Sequence, residues 1–176
     1  MTSDAVGSGV TTIGAAKLRA TLRGKDNFRN ILDDYSSGYR AGKYRMLSAR
    51  DVGLVGASAI LEDINIDAIT FGATKFEMVY RARGYLIGFI PKTFPVRIAV
   101  DPQTTVATDR VVLTLPWYRF LLRKLFTSSV LAREIDAVVV ADERLPGDTL
   151  ADVQARLFEE ISSTLKKKVG TIGVNQ

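Results

Sequence analysis

Cysteine and histidine are both absent from the 176 residues of this chain. Without cysteine, it has no disulfides, thiolate zinc sites or iron–sulfur clusters. Without histidine, it lacks the usual general base near neutral pH and a common zinc and haem ligand. Carboxylate and metal-ion chemistry is the alternative that remains, with Glu62, Asp63 and Asp67 as the nearest candidates. We predict a non-enzymatic protein without a cofactor or a metal.

A long uncharged run is also missing. A membrane-spanning helix needs roughly 18 to 20 apolar residues, whereas the longest near-apolar run, VGLVGASAIL, stops at Glu62 and Asp63. A secretory signal peptide begins with Lys or Arg, but this N-terminus carries Asp4 instead. We therefore expect a soluble chain that is made in the cytoplasm and has neither a signal peptide nor a transmembrane segment.

The composition is that of a folded globular protein. Hydrophobic residues make up 47% of the chain and charged residues 24%, which is enough apolar content to offset the chain entropy lost on folding. The length corresponds to one domain with its own core. Because the first residues are rich in Gly, Ser and Thr, we predict a flexible N-terminal arm at 1–14, a single domain at 15–169 and a C-terminal tail at 170–176.

Apolar and polar residues alternate through the middle of the chain, which is typical of half-buried strands. In KFEMVYRAR, Arg81 and Arg83 fall on the polar face, and in FPVRIAV so does Arg97. Pro95 indicates an edge strand or the start of a strand, because proline cannot donate to a ladder. Further strands are predicted at 60–71, 85–90 and 110–115, and the apolar run IDAVVVA at 135–141 predicts a buried central strand.

Helical periodicity marks both ends of the chain. The segment at 26–37 predicts an N-terminal helix that begins at Asp26 and ends at Gly38, and the segment at 149–168 predicts a C-terminal helix capped by Thr149 or Asp148. Strands between terminal helices predict an α+β fold with an antiparallel sheet of about five to seven strands. The predicted core comprises Leu150, Val153, Leu157, Ile161, Phe76, Met78, Val96, Ile98, Val138 and Val139.

The segment PWYRFLLRKLF at 116–126 combines aromatic, aliphatic and basic residues. It predicts a basic amphipathic helix near 116–127 that begins at Pro116, with Arg119 and Arg123 one turn apart. The pattern favours a helix that packs on the sheet with its arginines at the rim. A partner interface and a membrane-surface helix are the alternatives. The interface candidates are Trp117, Tyr118, Arg119, Phe120, Arg123, Lys124 and Phe126.

Arg81, Arg83 and Arg97 share one sheet face if their strands are neighbours. A basic, open sheet face can bind the backbone of a nucleic acid. Base recognition on such a face normally also needs exposed aromatic residues, and Phe76 and Tyr80 point the other way. Nucleic acid is therefore an alternative partner.

Charge is segregated along the chain. Residues 51–74 hold four acidic residues and no Lys or Arg, whereas residues 75–126 hold nine basic residues against three acidic ones. Such blocks predict complementary surfaces on neighbouring copies, and a mixed, solvated surface is the alternative. We predict a structural or assembly subunit of a larger complex, of the virion, phage-tail or secretion-machine type, that acts through self-association as a homo-oligomer or with other subunits. The alternative is an adaptor that binds a membrane surface or nucleic acid through segment 116–126 and the basic sheet face.

Overall fold

A computed structural model of the chain describes residues 10–46, 48–124, 126–142 and 147–169. In this part of the chain, six strands form one antiparallel sheet that packs with six helices. The predicted α+β class, the antiparallel sheet and the two terminal helices are confirmed. Residues 1–9 of the predicted arm and the predicted tail at 170–176 lie outside the described residues.

The sheet is a meander with one extra strand. In chain order the strands are β1 (Thr11–Gly14), β2 (Ile66–Phe71), β3 (Phe76–Leu86), β4 (Ile90–Val100), β5 (Val111–Thr114) and β6 (Leu122–Lys124). Strands β1 to β5 are neighbours in that order, and β6 pairs with the far end of β3, beyond β2. Residues 11–14, predicted as part of the flexible arm, instead form a strand paired with β2.

Helices cover one face of the sheet. They are α1 (Ala15–Thr21), α2 (Asp26–Arg40), α3 (Ala49–Glu62), α4 (Ala107–Arg110), α5 (Ser128–Ala141) and α6 (Leu150–Lys168). None of these described helices is long and apolar enough to cross a membrane. On the covered face, the Phe158 ring of α6 packs edge-on against Phe71 and Phe76. Eight of the ten predicted core residues are buried, while Leu150 and Val138 are only partly buried.

The other face of the sheet carries the odd-numbered side chains of β3 and β4, which are partly or fully exposed. Two prolines on β4 fix which backbone groups point outward. Pro91 lies opposite Tyr85 and Pro95 lies opposite Arg81, and neither proline has an N–H to donate to β3. The Arg81 N–H accordingly points away from β4 and donates to the Asn65 carbonyl at 2.7 Å. The outer edge of β4 from residue 91 to residue 95 therefore offers a single N–H, that of Thr93, and resists the addition of another strand.

The predicted central strand at 135–141 is wrong, because these residues lie in α5. The buried residues of α5 are Leu131, Ile135 and Val139, which recur every four residues. A short run of aliphatic residues fits a buried helix as well as a buried strand. Packing of α5 beside β5 and α6 decides in favour of the helix.

Three further boundaries differ from the prediction. Residues 60–62 end α3, which the sequence analysis did not identify, so only residues 66–71 of the predicted strand at 60–71 are extended. The segment 85–90, predicted as one strand, instead contains the end of β3, a turn at 87–89 and the first residue of β4. The N-terminal helix passes through Gly38 to Arg40. The strand predicted at 110–115 is confirmed as β5.

The cap of α6 ties the helix to a distant loop. Thr149 accepts a hydrogen bond from the Asp152 N–H, and the Asp152 carboxylate accepts one from the Thr149 N–H, which is a capping box. The same carboxylate accepts a hydrogen bond from the Met46 N–H at 2.6 Å. Met46 is fully buried and Asp152 nearly so. The Asp152 carboxylate therefore provides hydrogen-bond acceptors for backbone N–H groups of two segments that are far apart in the sequence. The predicted cap by Thr149 is confirmed.

Candidate functional site

The predicted amphipathic helix near 116–127 does not form. Residues 116–118 form an irregular turn, Arg119–Leu121 form one 3₁₀ turn, and residues 122–124 form β6. A short segment rich in aromatic residues has little helix propensity of its own. Pairing with β3 therefore decides its conformation, and within β6 burial alternates from Leu122 to the exposed Arg123.

The seven interface candidates separate into two groups. Tyr118 and Phe126 are partly buried against the core, and Phe126 stacks on Phe94 with ring centroids 6.3 Å apart. The partly buried Lys124 donates from Nζ to the Ser128 hydroxyl at 3.0 Å. The exposed group consists of Trp117, Arg119, Phe120 and Arg123.

Three exposed apolar residues of this region come from another turn. Ile87, Phe89 and Ile90 lie where β3 turns into β4, and they are 60%, 73% and 43% exposed. In the turn before β6, Trp117, Phe120 and Leu121 are 82%, 74% and 41% exposed. We refer to these six residues as the apolar tip. Most apolar residues of this size are buried in a monomer, and contiguous exposed ones mark interaction sites.

Backbone pairing holds the two turns of the apolar tip together. The Ile87 N–H donates to the Leu121 carbonyl at 2.8 Å, and Leu86 lies opposite Leu122. The close approach of β6 requires glycine at position 84. A Cβ at Gly84 would lie 2.8 Å from the carbonyl oxygen of Arg123, a separation that neither strand can relieve by moving a side chain alone.

Ile87 has a φ of 53°, in the left-handed region. This region is unfavourable for a β-branched residue and costs on the order of 1–3 kcal/mol. Gly88, the next residue in the turn, also has a positive φ, 86°, but glycine adopts it without strain. Glycine or asparagine would relieve the strain at residue 87. Ile87 is therefore both strained in its backbone and 60% exposed.

The apolar tip lies in the most basic part of the chain. Residues 78–100 and 110–133 contain nine of the 24 Lys and Arg residues and none of the 19 acidic residues. The rest of the chain therefore has a net charge of −4. Lys92, Arg119 and Arg123 belong to the two turns or to the strands next to them. Any partner of the apolar tip has to tolerate or complement this positive charge.

The structure places Arg81, Arg83 and Arg97 on the same open sheet face, as predicted from alternation. Arg123 of β6 lies on this face as well, because it is opposite Tyr85. Arg81 forms an ion pair with Asp67 at 2.7 Å. Phe76 and Tyr80 point to the covered face, as expected, but Tyr85 is a partly exposed aromatic residue on the open face.

No known family, curated protein or solved structure matches this chain.

The carboxylates considered as metal ligands have separate partners. Asp63 accepts hydrogen bonds from the Tyr80 hydroxyl at 3.0 Å and from the Asn65 N–H and side-chain amide at 2.9 Å each. Burial and the Asp63 charge raise the pKa of Tyr80 above its ordinary value, so Tyr80 stays a donor. Glu62 faces Arg40. Within the described residues, no three acidic side chains converge in a way that could hold a metal ion.

A polar cleft lies between α2, α3 and α6, with Arg40, Glu62, Glu159 and Ser162 among its lining residues. Arg40 donates from Nε to the Glu159 carboxylate at 2.8 Å. Burial raises the pKa of Glu159, and the Arg40 charge opposes this shift. Arg40 also lies 3.6 Å from a Glu62 carboxylate oxygen, so this one guanidinium faces both carboxylates.

Proposed function

We propose that this protein is a non-enzymatic structural or assembly subunit of a larger complex, of the virion, phage-tail or secretion-machine type, and that its copies associate through the apolar tip. The observation that carries the proposal is the exposure of six large apolar residues on two turns that the backbone holds together. Exposed clusters of this kind become the buried centre of an interface.

Charge determines how two copies can meet. A two-fold symmetric contact centred on the apolar tip would place the tip of one copy against that of another, and the basic residues of both would repel. A head-to-tail contact avoids this repulsion, because the rest of each copy has a net charge of −4. Head-to-tail contacts form rings or open filaments, which are the geometries that repetitive assemblies use.

Burial of the apolar tip would contribute a measurable part of the free energy of association. Fully burying a phenylalanine side chain is worth roughly 1.5–3 kcal/mol. Phe89 and Phe120 are 73% and 74% exposed, so burying both contributes roughly 2–4 kcal/mol. Losing this contribution lowers an association constant by about 30-fold or more.

Light scattering across protein concentration and salt tests the proposal. The wild-type chain should increase in mass with concentration, and Phe89→Ser with Phe120→Ser should move this increase to about 30-fold higher concentration or beyond. Phe28→Ser with Ile31→Ser is the matched control, since these two residues are also exposed but lie on α2. A wild-type monomer at every concentration, or equal effects of the two double substitutions, would contradict the proposal.

A membrane surface is the second candidate partner of the apolar tip. The specific observation is that aromatic and aliphatic side chains protrude from two turns whose surroundings carry basic residues and no acidic ones. This combination suits anionic lipid headgroups above acyl chains. Flotation with phosphatidylserine vesicles, accompanied by a blue shift in the emission of the exposed Trp117, would favour this candidate over self-association.

A further inference from the structure

The open sheet face carries four arginines in a continuous stripe. Arg97 and Arg81 are diagonal neighbours across β4 and β3, because Arg81 lies opposite Pro95. Arg83 follows Arg81 two residues along the same strand. Arg123 is diagonal to Arg83, because it lies opposite Tyr85. Diagonal and next-but-one neighbours in a sheet are roughly 7 Å apart, so the four charges form a row with regular steps. We call Arg97, Arg81, Arg83 and Arg123 the arginine stripe.

Most of the charge of the arginine stripe is uncompensated. Arg81 is paired with Asp67. Arg83, Arg97 and Arg123 are exposed, and the described part of the chain gives none of the three a carboxylate within ion-pair distance. Three unpaired arginines on one exposed sheet face, with the paired Arg81 between Arg97 and Arg83, form a positively charged surface that can bind a polyanion.

We propose that the arginine stripe binds the phosphate backbone of single-stranded nucleic acid. The regular steps suit successive phosphates of an extended strand, and arginine is the preferred phosphate ligand because its planar fork donates two parallel hydrogen bonds. Tyr85 lies beside Arg123 on the same face and is 38% exposed. It offers a ring on which one base can stack, as in other single-strand-binding proteins.

The same features distinguish nucleic acid from a lipid surface as the partner of this face. A lipid surface binds protruding apolar side chains, and these lie on the apolar tip. The open face instead presents Thr93, Thr114 and Pro95 beside the arginines, and its exposed aliphatic residue Val112 lies opposite Ala99 at the other end of the face. A strand of nucleic acid can follow such a face from one arginine to the next without inserting any side chain.

Fluorescence anisotropy with labelled oligothymidylate and oligouridylate tests the proposal. Single-stranded binding weakens with salt, with a slope in log K against log salt of about −0.7 for each phosphate neutralised. Three unpaired arginines predict a slope of about −2 for the wild-type chain. Arg83→Gln with Arg97→Gln should reduce the slope to about −0.7 and weaken binding at every salt concentration.

The matched control is Arg29→Gln with Arg133→Gln, which removes the same charge from exposed positions on α2 and α5. It should leave the slope close to that of the wild-type chain. Tyr85→Leu should weaken oligothymidylate binding by about tenfold and leave the binding of an abasic strand unchanged; an equal loss on both strands would contradict stacking. The proposal is overturned if the stripe and control substitutions have equal effects, or if the wild-type chain binds phosphatidylserine vesicles but neither oligonucleotide.

Discussion

Substitution of Gly84 by alanine tests how β6 and the apolar tip are held in place. The added Cβ would lie 2.8 Å from the Arg123 carbonyl oxygen and 3.0 Å from Cε1 of Phe94. Because Phe94 is buried and the oxygen belongs to the backbone, β6 has two ways to respond. It can stay paired under strain, or it can separate from β3.

The magnitudes decide between the two responses. Overpacking by one methyl group costs about 1–3 kcal/mol. Separation would expose the buried Leu122, at roughly 1.5–3 kcal/mol, and would break several backbone hydrogen bonds, each worth about 0.5–1.5 kcal/mol. Strained pairing is therefore the less costly response. Alanine also lowers the entropy of the unfolded chain, which stabilises the folded protein by about 0.4–1 kcal/mol. We therefore expect a net destabilisation of about 1–2 kcal/mol.

Urea unfolding of Gly84→Ala measures this loss as a lower midpoint with an unchanged slope. Amide exchange at Ile87, whose N–H donates to Leu121, should become faster. Gly14→Ala is the control, because a Cβ at Gly14 meets nothing within 4 Å and its φ of −93° suits alanine. The control should stay within about 0.5 kcal/mol of wild type. Equal stabilities of the two variants, with unchanged exchange at Ile87, would refute the close approach of β3 and β6.

Three further substitutions test the packing and the charges. Tyr80→Phe should destabilise by about 1.5–3 kcal/mol, because the buried Asp63 carboxylate loses a charge-assisted hydrogen bond; an unchanged urea midpoint would contradict this. Leu157→Ala should cost about 2–5 kcal/mol, because this fully buried residue of α6 leaves a cavity; a thermal melt with a loss below about 0.5 kcal/mol would place α6 outside the core. Because the pKa of Glu159 is raised in the folded state, its contribution to stability is fully present below the ordinary carboxyl pKa of 4.5 and is lost as pH rises through the folded pKa. The wild-type chain should therefore lose stability relative to Glu159→Gln as pH rises above 4.5, and a constant difference would contradict the shift.

Periodicity was sufficient where one face of an element is buried along its whole length. Every second residue is buried from Phe76 to Gly84 in β3 and from Phe94 to Val100 in β4, so alternation predicted these parts of both strands and the common face of the arginines. In α6, helical spacing and the capping residues agreed. The covered face of the sheet and the C-terminal helix could therefore be predicted from the sequence.

Local pattern failed where a distant segment decides the conformation. The three residues of β6 are extended because Gly84 lets them approach β3. The residues within 116–126 alone could not predict this contact. Likewise, α5 is a helix because Leu131, Ile135 and Val139 face the core, although its valines suit a strand equally well.

The apolar tip could be predicted only in part for the same reason. Trp117 and Phe120 were interface candidates from their residue types. Ile87 and Phe89 were assigned to a strand region, where apolar residues are ordinarily buried. The sequence signal that could have identified the turn is GYLIGFI, in which Gly84 and Gly88 flank Tyr85, Leu86 and Ile87. Their place beside Leu121 depends on the pairing of β3 with β6.

The most direct test of the central proposal is cross-linking from the apolar tip. A photoreactive aromatic side chain in place of Phe89 should join copies of the otherwise unchanged chain into a ladder. Mass spectrometry should then place the second attachment point outside residues 78–100 and 110–133, on the net acidic remainder of the neighbouring copy. Cross-links confined to the apolar tip of both copies, or none at concentrations where the wild-type mass increases, would contradict head-to-tail assembly through this surface.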